Sequence, residues 1–175
     1  MIFNFYLGNH AADSLNSMSD LAEPIYRGLE ADGHHVIAFG TGMREPPAIN
    51  AFIEFFEDDA IANAILSAKA QHGPRFRFGI VCTEDIEDEL VMNPKDHPRR
   101  RANLLRLLPQ ADFVWTLLPV PAYEQVAGSG KVGLLEYGFS EPCADPSPIQ
   151  DRGLRDVDVI RSEEHTSELQ SHVRI

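Results

Sequence analysis

The chain has 175 residues, with 15 Lys and Arg against 27 Asp and Glu and a formal net charge of −12. That charge argues against nucleic acid or an anionic membrane as the main partner, and no apolar run is long enough to span a bilayer. Two distant cysteines, Cys82 and Cys143, fit no metal or redox spacing, and Met1 to Leu7 lacks the basic lead-in and cleavage site of an export signal, so a reducing cytoplasm is expected.

Ile2 to Leu7 is apolar and aromatic, ends at Gly8-Asn9, and predicts a buried strand. A helix follows, its apolar stripe carried by Met18, Leu21, Ile25 and Leu29. Asp20 and Glu23 suit a capping box that puts Pro24 in the first turn; an earlier start would make Pro24 an interior residue that kinks the helix. Gly33 supplies the stop. His35 to Phe39 predicts a second strand, closed by Gly40-Thr41-Gly42. Ile49, Ala51, Ile53 and Phe55 alternate with Asn50, Phe52 and Glu54, a period of two that predicts a third strand. Asp58 or Asp59 caps a helix that turns Ile61, Ala64, Ile65 and Ala68 inward. Phe76 to Cys82 is the fourth strand, Arg99 to Leu108 a helix ended by Pro109, and Phe113 to Leu118 the fifth strand, stopped by Pro119 and Pro121. A short helix around Tyr123 to Ala127 leads to a sixth strand, Lys131 to Leu135.

Strands alternating with helices predict an α/β fold, a Rossmann-like doubly wound and mostly parallel sheet with helices on both faces. Near-continuous apolar strands agree, since such strands are covered on both sides.

The chain changes character after this domain. Residues 1–140 form the Rossmann-like unit, and 141–155 read as a linker containing Pro142, Pro146 and Pro148. Asp156-Val157-Asp158-Val159-Ile160 opens what reads as the first strand of a second α/β domain. The segment from Arg161 to Ile175 is of another kind: back-translated, Arg161 to His172 reproduces a common short-read sequencing adapter. It is therefore expected to be an artefact that interrupts a longer protein, and His165 and His172 are set aside with it.

Several motifs invite functional readings. Gly128-Ser129-Gly130-Lys131-Val132-Gly133 satisfies G-x-G-x-x-G, but it follows a helix and enters a strand, the reverse of the context that holds a pyrophosphate. It also fails as a P-loop, with Gln125 at the first glycine position and Val132 at the Ser/Thr position. His34-His35 enters a strand, so the two rings point to opposite faces and cannot readily share a metal; no metal site is expected. Arg99-Arg100-Arg101 reads as a solvated helix start in preference to a phosphate site.

Open α/β sheets bind ligands beyond the carboxyl ends of their strands. That rule selects Thr83, Glu84 and Asp85 after the fourth strand, and Gly8, Asn9 and His10 after the first, as substrate-binding candidates. His10 is the candidate general base because an imidazole titrates near neutral pH.

Leu29-Glu30-Ala31-Asp32-Gly33-His34-His35-Val36 resembles the junction of N-terminal domains in GT-B glycosyltransferases. Gly79-Ile80-Val81-Cys82-Thr83-Glu84, Ala111 to Leu117 and Leu134-Leu135-Glu136-Tyr137-Gly138-Phe139 resemble a bacterial branch of glycosyltransferase-family-1-like proteins. The resemblance covers residues 1–160. It implies two Rossmann-like domains facing a cleft, with a small-molecule or glycan acceptor on the N-terminal one and a nucleotide-sugar donor on the C-terminal one. This chain would lack the donor half, so it would bind no cofactor itself, would be inactive alone, and would miss its C-terminal domain in cis. The rival reading is a non-enzymatic Rossmann-like binding or scaffold module. Its receiver form needs an acidic pair after the first strand, which Gly8-Asn9-His10 does not supply.

Overall fold

The computed structural model describes residues 1–6, 15–40, 42–54, 56–86, 98–118 and 120–135, all within a compact unit running from Met1 to Pro142. Six strands, β1 (Ile2–Tyr6), β2 (His35–Gly40), β3 (Ile49–Ile53), β4 (Arg77–Cys82), β5 (Phe113–Thr116) and β6 (Val132–Leu134), form one sheet. The order is β2-β1-β3-β4-β5-β6, and every adjacent pair is parallel. Four helices accompany it: α1 (Leu15–Ala31), α2 (Asp59–His72), α3 (Pro98–Leu107) and α4 (Val120–Ala127). The strand order runs one way from β1 to β2 and the other way from β3 to β6. The reversal falls between β1 and β3, the position where open sheets of this kind form a ligand crevice.

Side-chain alternation sorts the core onto two faces. Phe3, Phe5, Ile49, Ala51, Ile53 and Val81 pack with Ala22, Ile25 and Tyr26 of α1. Phe52, Phe78, Ile80, Cys82 and Val114 pack with residues of α2, α3 and α4, including Ile65, Leu104, Leu107 and Tyr123. Each fully buried large apolar side chain contributes roughly 1.5–3 kcal/mol. The central strand β3 is buried along its whole length. Both faces of this strand are covered, as expected for a near-continuous apolar strand in a parallel sheet.

Local chemistry explains most boundaries. Gly33, at φ +79, closes α1: its N–H donates to the carbonyl of Glu30, and that of His34 to the carbonyl of Leu29, the paired bonds of a Schellman stop. The helix starts at Leu15, earlier than the Asp20 cap predicts, so Pro24 lies in its interior. Asp58 caps α2 by accepting from the N–H of Ala60 at 2.8 Å. In α2, Ala62 and Ile65 are buried while Ala64 is exposed, which corrects the expected stripe by part of a turn. Pro121 does not stop the fifth strand: it lies in the first turn of α4, where its missing donor costs nothing.

The passage from β2 to β3 carries no helix and is held by two buried asparagines. Asn4 donates to the carbonyl of Gly42 at 3.0 Å and to Oδ1 of Asn50 at 2.9 Å. Asn50 accepts from the N–H of Arg44 at 2.8 Å and donates to its carbonyl at 2.9 Å. At the amino ends of the strands, Lys69 of α2 meets Asp112 at 2.9 Å, and the same carboxylate oxygen accepts from the N–H of Phe78. That tether fixes α2 against the starts of β4 and β5 and leaves the carboxyl ends to other residues.

Candidate functional site at the carboxyl ends of the strands

Glu54 directly follows β3, and its N–H continues the ladder by donating to the carbonyl of Val81 at 2.9 Å. The residue is only 3% exposed. Thr83, directly after β4, donates its hydroxyl hydrogen to Oε1 of Glu54. Oε2 is buried and has no hydrogen-bond partner. The carboxyl group thus joins the exits of β3 and β4, beside the point where the strand order reverses.

Burial raises the pKa of Glu54 to about 8, since desolvation disfavours the charged form. The hydrogen bonds from Thr83 oppose this rise, and the negative charge of Glu84 adds to it. At neutral pH the group is therefore mostly a neutral acid. It is an acid near its midpoint, the condition under which a carboxyl group transfers protons effectively in either direction.

The surroundings are held by α3 and α4. Arg100, with 6% side-chain exposure, pairs with Glu84 at 2.8 Å. Arg101 donates from Nε to the carbonyl of Ile86 at 3.0 Å. Tyr123, buried in α4, donates its hydroxyl hydrogen to the carbonyl of Glu84. Asn103 reaches the other exit, donating to the carbonyl of Phe56 at 3.0 Å and to Asp59 at 2.9 Å. One helix face therefore fixes both segments that leave β3 and β4. At the exit of β5, the N–H of Leu118 donates to the hydroxyl of Thr116 at 3.0 Å. Burial also raises the pKa of the Cys82 thiol and of the Tyr123 phenol, with the charge of nearby groups, Glu54 among them, acting in the same direction. Both stay protonated at neutral pH.

Of the residues selected from sequence, Thr83 and Glu84 lie in this cluster and Asp85 follows them, half-buried. Gly8, Asn9 and His10 lie outside the described residues. The basic triplet differs from its expected role. Arg99 is exposed, but Arg100 is buried and ion-paired and Arg101 holds a loop carbonyl. The reason is their position on the turn of α3 that faces the β4 exit, where the acidic segment offers partners.

The glycine-rich segment joins α4 to β6, with Gly128 and Gly130 at φ +97 and +81. It lies at a strand's amino end, opposite the carboxyl-end cluster. His34 packs against Phe3 with ring centroids 5.4 Å apart, while His35 is exposed.

Glu54 was not among the sequence candidates. The rule that chose the exits of β1 and β4 applies equally to β3, and Phe52 was the available signal. Phe52, alternating with the apolar Ile49, Ala51 and Ile53, marks a strand covered on both faces, and the acid that follows it inherits that burial.

The fold and this cluster define a class: an α/β protein with a six-stranded, all-parallel, Rossmann-like doubly wound sheet and a polar cluster at its carboxyl ends. No helix among the described residues is long and apolar enough to cross a membrane. No protein-family model, curated protein or solved structure matches the chain.

Proposed function

We propose that the chain is the acceptor-side domain of a two-domain, GT-B-like glycosyltransferase. In this reading it holds a hydroxyl-bearing acceptor, and a second domain holds the nucleotide sugar. The observation that supports it is Glu54: a buried acid at the carboxyl ends of a parallel sheet, beside the strand-order reversal, with one oxygen held by Thr83.

Glycosyl transfer to a hydroxyl needs a proton acceptor on the acceptor side. As the acceptor oxygen bonds to the anomeric carbon, the nucleoside diphosphate departs with the electron pair of the bond it leaves, and the hydroxyl proton passes to a base. Glu54 in its ionised form takes that proton. His10, after β1, is the second candidate for the same role. Thr83 orients the Glu54 carboxyl, and the pair of Glu84 with Arg100 fixes the loop that carries Thr83 and Asp85. Groups that stabilise the leaving diphosphate belong to the donor half.

Titration calorimetry on the full chain tests this division of labour. UDP-glucose and GDP-mannose are expected to give no micromolar binding. Micromolar binding of either would place the donor site in this domain and overturn the reading.

A further inference from the structure

We propose that Glu54 is a direct binding residue for a neutral, hydroxyl-bearing ligand, whose hydroxyl meets Oε2 and donates a hydrogen bond to it when the carboxyl is ionised. This rests on the acceptor-side reading and adds to it the neutral charge of the acceptor and the atom that meets it.

The two carboxyl oxygens differ. Oε1 accepts from the Thr83 hydroxyl, so the orientation of the group is fixed. Oε2 is buried without a partner, and a buried polar oxygen left in that state costs roughly 1–3 kcal/mol. A native site at a ligand-binding end of the sheet that retains this cost has a use for the oxygen.

The neighbours select the ligand's charge. Among the described residues, the charged and titratable groups around Glu54 are Cys82, Glu84 and Asp85 at the β4 exit, Arg100 from α3 and Tyr123 from α4. Arg100 is engaged by Glu84, and the cysteine and tyrosine stay protonated. Among the described residues the balance at this end is acidic, which disfavours phosphate and carboxylate ligands. Among the described residues no group of three His, Cys, Asp or Glu is arranged to hold a metal ion. A hydroxyl fits both protonation states of Glu54: it accepts from the neutral acid and donates to the carboxylate. Donation to the carboxylate replaces hydration lost on burial, so ligand binding favours the ionised form.

That linkage gives a test whose sign identifies the ligand. The full chain carrying carbon-13-labelled glutamate is titrated by NMR, following the Glu54 carboxyl. The spectra are recorded alone, with methyl hexosides, with inorganic phosphate and with methylammonium. The expected result is a midpoint lowered by about half a unit or more with a methyl hexoside and not lowered by phosphate. Glu54→Gln keeps hexoside binding, because the amide donates to the hydroxyl, but makes the affinity independent of pH between 6 and about 9. Glu54→Leu lowers the affinity about tenfold; because this change is able to impair folding, the Glu54→Gln comparison stands by itself. A midpoint unmoved by every hexoside, or lowered by methylammonium alone, overturns the proposal. So does hexoside binding that Glu54→Leu leaves unchanged in a folded protein. Micromolar nucleotide-sugar binding that survives Glu54→Leu overturns the acceptor-side reading instead, and the two failures are told apart by which ligand binds.

Discussion

Glu54 carries a proton in the folded protein that it would lose in the unfolded chain, and this links stability to pH. Its folded pKa is about 8 against an ordinary value of 4.5. The stability attached to that proton is fully present below 4.5 and is lost as pH rises through 8. Glu54→Gln removes the titration. In thermal melts followed by circular dichroism, the wild-type Tm is expected to fall between pH 5 and about 8.5 by roughly 5 °C or more relative to the variant. Parallel curves for the two proteins would show that Glu54 titrates as an exposed acid. The same residue marks what sequence leaves hidden. A strand's apolar pattern records that its side chains are buried, but not that a polar residue just past its end shares the burial. Ile49, Ala51 and Ile53 pack on the side of α1 and Phe52 on the side of α2, α3 and α4, and Glu54 shares the burial of the strand it follows.

Helix α3 joins the two exits that form the cluster, and Arg100 ties it to the β4 exit through Glu84. Arg100→Met removes the charge and leaves Glu84, with 28% side-chain exposure, short of its partner. After discounting for solvent screening of that exposed share, a loss of about 1–3 kcal/mol is expected. The Arg100→Met, Glu84→Gln double variant should recover part of it. Chemical denaturation measures both, and a single variant as stable as wild type would show that the pair does not hold the loop. This linkage was not legible from sequence, because the basic triplet and the acidic segment look like separate solvated runs until the fold sets one beside the other.

A second element-scale contact lies between β4 and β5. A Cβ at Gly79 would meet the Phe113 ring at 2.1 Å. Gly79→Ala is expected to cost roughly 1–3 kcal/mol through overpacking, and Phe113→Leu in the same chain should restore part of the loss. Equal stability of Gly79→Ala and wild type would mean that the ring moves aside freely. The glycine is visible in the sequence; the reason for it is not, since Phe113 lies 34 positions away.

For the molecule as a whole, the alternation of elements was legible from Ile2 to Leu135. Periodicity and punctuation are local, and Gly33, Asp58 and Pro109 act on their own neighbours. Strand order is not local. Nothing in the spacing says that β3 lies beside β1, and that placement creates the reversal on which the site argument depends. Thr83 and Glu84 could be named from sequence because the rule about carboxyl ends applies to any parallel strand. Glu54 needed the sheet. The proposed ligand-binding region lies at those carboxyl ends. It is tested most directly by mapping amide chemical shifts of the isotopically labelled full chain during titration with a methyl hexoside. The account predicts that Glu54, Thr83 and Glu84 move first and furthest. Shifts centred instead on Gly73–Arg75 and Gly128–Lys131, at the amino ends of the strands, would contradict it.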